Sequence, residues 1–114
     1  MEIITQPIPV AVLKQMAENM FGTMIKVVVD INRGIMAVDG ELHADEEALL
    51  LEEGSLQKDL WGINIYPGLD RTDSDFIEFD SMINMRPSQN NRSRSVDDPG
   101  IRKTIVAVVN KLIS

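Results

Sequence analysis

Cysteine is absent from the 114-residue sequence, and its absence excludes disulfide bonds, thiolate metal sites and cysteine nucleophiles. Aromatic residues make up only 4%, which leaves few rings for stacking against nucleic-acid bases. No apolar run approaches the roughly 18 residues of a membrane span. The N-terminal segment MEIITQPIPV also lacks the basic and long apolar regions of a signal peptide. We therefore expect a soluble, cytoplasmic protein with no membrane partner.

Common enzyme signatures are missing as well: there is no nucleophile elbow, Walker loop, dinucleotide fingerprint or zinc-protease helix. This favours a protein without catalytic residues, and we expect no cofactor and no bound metal. Apolar residues at 44% and charged residues at 25% are close to the averages of globular proteins. A chain of this length is predicted to form one domain over residues 1–114.

The net charge of -7 is unevenly distributed along the chain. Residues 1–85 carry 16 acidic and 5 basic side chains, whereas residues 86–114 carry 6 basic and 2 acidic ones. An acidic protein repels nucleic acid, so polyanion binding would be confined to the basic C-terminal quarter. Nucleic-acid binding through that quarter is kept only as a second alternative function.

Apolar periodicity predicts a helix over residues 8–21, because Val10, Leu13 and Ala17 recur at three- and four-residue spacing. Strict alternation then predicts a strand from residue 25 to 31, and the turn Arg33-Gly34 leads into a second strand over residues 35–38. These two strands are expected to form a hairpin.

The second half of the sequence predicts a short helix, another hairpin and a closing helix. Asp45 is suited to cap a helix through residue 53, and strands are predicted over residues 60–66 and 76–86. Asp98-Pro99 is a typical start for the last helix. The fold class is therefore α+β, with an antiparallel four-stranded sheet of two hairpins. The N- and C-terminal helices pack on one face, and the short helix lies between the hairpins.

The loop from Arg86 to Ser95 is the chemically richest segment, since it combines arginines with hydroxyl and amide side chains just before a helix. Such a loop is suited to a phosphate or carboxylate, although its arginines are equally able to pair with the domain's own carboxylates. The candidate ligand-binding residues are Arg86, Ser88, Gln89, Asn91, Arg92, Ser93, Asn84 and Asn64.

Strand alternation places Glu78, Asp80, Asn84 and Arg86 on the same sheet face, and by the same rule this face includes Asn64. If the helices cover only the other face, this one stays open. An open face is either solvated or used as an interface, and a homodimer through it is the expected partner arrangement.

Metal chemistry is the alternative interpretation. The only histidine, His43, stands close to Asp45, Glu46 and Glu47, but helix-dipole stabilisation also explains those acids. The alternative function is a small metal-dependent hydrolase or phosphodiesterase in which Glu78 and Asp80, with His43 or Asp45, hold the metal while Arg86 and Arg92 bind phosphate. The acids of residues 70–75 resemble a calcium loop only loosely, because the glycine and the closing glutamate of that motif are missing.

Three segments, GELHADEEALLLEEGS, LWGINIYP and FIEFDSMINMRPSQNNRS, resemble an uncharacterised bacterial protein family of unknown function. The resemblance extends over nearly the whole chain and implies no activity, ligand or catalytic residue. The leading hypothesis therefore comes from the residues alone. It is a non-catalytic binding or interaction module that recognises an anionic ligand or partner through the Arg86 to Ser95 loop and the adjacent sheet face.

Overall fold

A computed structural model describes residues 1–114 and contains three α-helices and one antiparallel sheet of five strands. The helices are α1 (Val10–Asn19), α2 (His43–Glu52) and α3 (Pro99–Leu112). The strands are β1 (Glu2–Ile4), β2 (Ile25–Asp30), β3 (Ile35–Val38), β4 (Leu60–Ile65) and β5 (Ile77–Glu78). Across the sheet their order is β1-β3-β2-β4-β5. The α+β class is confirmed, and none of the helices is long and apolar enough to cross a bilayer.

One face of the sheet carries the larger core, which helices α1 and α3 cover. Alternate residues of β2, such as Val27 and Val29, point into this core and meet Leu13 of α1 and Ile105 of α3. The start of α3 follows from its sequence, because the side chain of Asp98 accepts hydrogen bonds from the first backbone N–H groups of the helix.

The opposite face carries a smaller core, which corrects the expectation of an open sheet face. Here Leu50 of α2 packs against Val28, Ile35 and Leu60, so α2 lies over this face. A strand that is apolar on both sides is typical of a sheet covered on both faces, and β3 has this character, since all four of its residues are apolar and buried. The homodimer stays a prediction, without the open face that motivated it.

The predicted number of strands is also wrong, because the sheet has five strands rather than four. The additional strand is β1, which pairs with β3 so that Glu2 lies opposite Val38. Three residues are too few to show alternation, and no strand is predicted there from the sequence for that reason.

The long strand predicted over residues 76–86 is reduced to the two residues of β5. After Glu78 the chain leaves the sheet and forms two short 3₁₀ turns, Met82–Asn84 and Pro87–Gln89. Ser81 starts the first turn by accepting a hydrogen bond from the backbone N–H of Ile83. Only the first part of β4 is therefore left without a neighbouring strand on this side.

Candidate functional site

Asn84 fills the place of the missing strand beside β4. Its carboxamide oxygen accepts from the backbone N–H of Gly62 at 2.8 Å, and its nitrogen donates to the carbonyl of Gly62 at 2.9 Å. The same nitrogen donates to the carbonyl of Arg94 at 3.0 Å. This close approach needs glycine, because a Cβ at position 62 would lie 2.5 Å from the Cβ of Ser81. The polar atoms of Asn84 are therefore occupied by the fold.

Arg86, like Asn84, satisfies backbone groups at the edge of β4 that has no neighbouring strand. Its guanidinium donates to the carbonyls of Gln57 and Leu60 and stacks over the ring of Trp61 at 4.1 Å. Burial lowers the pKa of Arg86, while the negative charge of Glu47 acts in the opposite direction. The residue is only 8% exposed, so the guanidinium is directed at the protein itself rather than at solvent.

Most other members of the predicted loop site also bind the chain itself. The side-chain nitrogen of Asn91 donates to the carbonyls of Asn84, Ser93 and Ser95, and its oxygen accepts from the backbone N–H of Asp97. This asparagine therefore shapes the loop from inside.

Gln89 and Ser93 make single contacts at the surface of the loop. Gln89 donates to the carbonyl of Lys58, and the hydroxyl of Ser93 donates to Asp97. Ser88 and Arg92 are exposed and their side chains make no hydrogen bond within the chain. Ligand binding by the loop residues stays a prediction.

A polar cleft of about 420 Å³ lies on the α2 side of the sheet, where the sequence had predicted an open face. The strand register creates it, since Lys26 on β2 lies opposite Asn64 on β4, and Asn64 lies opposite Glu78 on β5. Directly opposed residues project from the same face, so three polar side chains form one row. We call this space the His43 cleft; its polar side chains include Lys26, His43, Asn64, Glu78, Asp80 and Arg94.

Asn64 is a buried polar residue of the cleft, with 5% exposure. Its side-chain nitrogen donates to Glu78 Oε1 at 2.7 Å and to the carbonyl of Asp80 at 3.3 Å. Both partners only accept hydrogen bonds, and this fixes which end of the carboxamide is nitrogen. The oxygen, Oδ1, is consequently a buried acceptor, and it has no partner in the chain. Buried polar groups are nearly always paired, which makes this atom unusual.

His43 begins α2 and reaches across to β4. Its Nε2 lies 2.8 Å from the carbonyl oxygen of Ile63, and because a carbonyl only accepts, Nε2 carries the proton. Burial lowers the pKa of His43 below 6.5, and the charge of Lys26 lowers it further, whereas the Ile63 hydrogen bond raises it. The ring is therefore neutral near pH 7, and Nδ1 is a lone-pair acceptor.

The two cations of the cleft differ in their surroundings. Lys26 lies over the ring of Phe21 at 5.0 Å and forms no ion pair or side-chain hydrogen bond. Arg94 Nε lies 2.7 Å from Asp80 Oδ1 in an ion pair whose side chains are about half exposed. The other guanidinium N–H groups of Arg94 make no hydrogen bond within the chain.

The structure brings together His43, Glu78 and Asp80, three residues of the alternative metal interpretation, in one cleft. However, nowhere in residues 1–114 do three or more His, Asp or Glu side chains converge on one metal-binding point. In the acidic turn over residues 70–75, Asp70 accepts from the backbone N–H and hydroxyl of Thr72. These hydrogen bonds lower the pKa of Asp70 and stabilise the turn.

A family described as "Protein of unknown function (DUF5674)" matches residues 2–112. The chain belongs to this family. The match confirms the resemblance to an uncharacterised family that the sequence segments indicated. No curated protein and no solved structure matches the chain.

Glu46, one of the acids grouped with His43 in the metal interpretation, is placed differently from its neighbours in this member of the DUF5674 family. It looked like an acid that complements the helix dipole, but it is fully buried. Its Oε2 accepts from the backbone N–H of Gly40 at 3.0 Å, and its Oε1 has no partner. Burial raises the pKa of Glu46 to about 9, so the side chain is a neutral carboxylic acid near pH 7.

Asp39 and Gly40, which lie beside Glu46 in the fold, form a dipeptide typical of a tight backbone approach. A Cβ at position 40 would lie 2.6 Å from Cγ of Glu46, so only glycine fits beside it. The preceding residue, Asp39, has a positive φ of 65°, which is uncommon for a residue other than glycine. The Asp39-Gly40 pair therefore marks a close backbone approach to the buried acid.

Proposed function

We propose that this chain is a non-catalytic binding module whose ligand is a small molecule with an anionic group, held in the His43 cleft. The observation that carries the proposal is the meeting of two cations with free N–H donors in one cleft. Lys26 has no ion-pair partner, and Arg94 uses only Nε in its contact with Asp80. A carboxylate or phosphate oxygen is the natural acceptor for such donors.

The cleft is well prepared for binding, because its parts are attached to rigid elements. Lys26 and Asn64 stand on the two central strands β2 and β4. The backbone of Arg94 is anchored by two hydrogen bonds to its carbonyl, one from the backbone N–H of Ser81 and one from the side chain of Asn84. A preorganised site loses little conformational entropy when the ligand binds, and this favours useful affinity.

The predicted loop supports this proposal through Arg94, which lies inside the segment from Arg86 to Ser95. Arg86 itself is occupied by backbone carbonyls. Basic residues of the C-terminal quarter are partly occupied too, since Arg102 bonds to the carbonyl of Val96 and the hydroxyl of Ser95. Nucleic-acid binding therefore has fewer free cations than the sequence suggested, and no observation favours it over a small ligand.

The test is a ligand screen on the full chain followed by site-directed variants. Small carboxylates, phosphate monoesters and amino acids are added during thermal unfolding, and hits are titrated by calorimetry. A ligand at 100 times its Kd stabilises a protein by about 2.7 kcal/mol, which corresponds to a rise in Tm of roughly 10 °C for a chain of this size. We expect Lys26→Met and Arg94→Gln each to weaken a hit about tenfold, the loss of one charge-assisted hydrogen bond.

Lys103→Met is the matched control, because Lys103 is an exposed lysine on α3, outside the cleft. It should leave the affinity unchanged. A hit that is insensitive to both cleft variants, or a screen without hits, would contradict the proposed function.

A further inference from the structure

The His43 cleft contains free acceptors as well as free donors. Asn64 Oδ1 is buried without a partner, and Nδ1 of the neutral His43 ring is a lone-pair acceptor. Glu78 uses Oε1 for Asn64 and Tyr66, so its second oxygen makes no hydrogen bond. A ligand that brought only an anionic group would leave these acceptors unsatisfied.

The formal charges of the cleft are balanced between the two signs. Lys26 and Arg94 are positive, and Glu78 and Asp80 are negative. A purely anionic ligand would meet the two carboxylates at short range, and a purely cationic one would meet the two cations. A ligand that carries both charges satisfies each side with its opposite.

Along the strand row one positive and one negative side chain stand at opposite ends, whereas Arg94 is paired with Asp80. Lys26 stands on β2 and Glu78 on β5, with Asn64 of β4 between them in the same row. Neighbouring antiparallel strands lie about 5 Å apart, so the ends of the row are about 10 Å apart at the backbone. A small amino acid or an aminoalkyl phosphate likewise carries its two opposite charges at its two ends.

We propose that the ligand of the His43 cleft is a small zwitterion, with a carboxylate or phosphate toward Lys26 and Arg94 and an ammonium group toward Asn64 Oδ1 and Glu78. This inference rests on the proposed function, because it requires the cleft to bind an anionic group. It adds that an N–H donor on the ligand is recognised too. The buried oxygen of Asn64 gains its missing hydrogen bond from that donor.

The test compares three forms of each probe by calorimetry with the full chain. The probes are free L-amino acids, their N-acetyl derivatives, which lack the ammonium group, and their methyl esters, which lack the carboxylate. O-phosphoethanolamine and ethyl phosphate form the corresponding pair for phosphate. We expect the zwitterions to bind at least tenfold more tightly than either truncated form, since each truncation removes a charge-assisted contact.

Two cleft variants assign the two ends of the ligand. Glu78→Gln keeps an oxygen for Asn64 but removes the negative charge, so it should weaken the zwitterion roughly tenfold and leave the N-acetyl form unchanged. Lys26→Met should weaken both. Glu18→Gln, at an exposed position of α1, is the matched control for the loss of an acid. Glu78 is itself exposed, so its variant is expected to fold.

The outcomes separate the inference from the proposed function. If the N-acetyl or ethyl phosphate forms bind as tightly as the zwitterions, the zwitterion is overturned and the anion site stands. If the methyl esters bind best, or if no probe binds, both are overturned. A preference for the zwitterion that Glu78→Gln removes, while Glu18→Gln preserves it, supports both.

Discussion

Two buried asparagine side chains lie along strand β4 and use their carboxamides differently. Asn84 has both ends of its carboxamide occupied by backbone groups, and it closes the strand edge. Asn64 has only its nitrogen occupied, and its oxygen lies without a partner in the His43 cleft. The two arginines of the same region show a parallel difference, since Arg86 is buried against carbonyls and Arg94 is half exposed beside the cleft. Residue type alone therefore does not show whether the polar atoms of a side chain are occupied by the fold or left without a partner.

The largest expected effect on stability comes from replacing each of the two arginines, Arg86 and Arg94, with methionine. Arg86→Met should lower the free energy of unfolding by about 3 to 5 kcal/mol, because the carbonyls of Gln57 and Leu60 lose their partner and the stacking over Trp61 is lost. Arg94→Met should lower it by less than about 1 kcal/mol, as is usual for an exposed ion pair. Urea unfolding at constant pH measures both, and equal losses would erase the distinction between the two arginines.

The two asparagines provide the next largest effect. Asn84→Ala leaves the N–H and carbonyl of Gly62 and the carbonyl of Arg94 without partners, and should cost about 2 to 4 kcal/mol. Asn64→Ala removes only two donor contacts, one of them to the exposed Glu78, and should cost about 1 kcal/mol. Chemical denaturation checks the order, and a reversed order would mean that Asn64 is the structural residue.

This comparison also explains which parts of the fold the sequence could predict. Helix α3 was predictable because Asp98-Pro99 and the apolar spacing are local signals. The segment over residues 76–86 was not, since alternation of polar and apolar residues looks the same whether a polar side chain faces water or bonds to a neighbouring strand. Asn84 and Arg86 form side-chain hydrogen bonds to β4 where a neighbouring strand would form backbone ones. The periodicity of the sequence is the same in both cases.

The His43 cleft, too, was predictable from the sequence only in part. Alternation placed Asn64 on the same face as Glu78 and Asp80, and in the structure the Asn64 side chain bonds to both residues. The positions of Lys26 and His43 in that cleft depend on strand order and on the packing of α2. Both result from long-range contacts that a single sequence does not display. Lys26 was for the same reason not a candidate at all.

Glu46 resembles both asparagines, because one of its carboxyl oxygens is paired with the backbone, as in Asn84, and the other has no partner, as in Asn64. Its pKa in the folded chain is about 9, above the usual 4.5. The stabilising protonated form is therefore present in full below pH 4.5, and stability is lost as the pH rises toward 9. From pH 5 to pH 7 the loss should be about 2 to 3 kcal/mol.

Glu46→Gln supplies the matched measurement, because glutamine keeps an acceptor for the N–H of Gly40 and does not ionise in this range. The difference in unfolding free energy between the two chains should grow in favour of Glu46→Gln from pH 5 to pH 8. Lys26, Asp39 and the N-terminus carry the nearby charges, and they are identical in both chains. A constant difference would mean that Glu46 is ionised at neutral pH.

The smallest expected effect is the change in the pKa of His43 when its neighbours are neutralised. Burial is the main cause of the lowered pKa and persists in each variant. Lys26→Met should raise the pKa of His43 and Asp80→Asn should lower it, because a positive neighbour disfavours the imidazolium and a negative one favours it. Titration of the ring by NMR measures both directions. Since the folded pKa is below 6.5, the stability contributed by the neutral ring is present above that pH and is lost as the pH falls through the folded value. If Lys26→Met left the titration of His43 unchanged, the cation would be too distant to share a ligand with the ring, and the His43 cleft would divide into two separate surfaces.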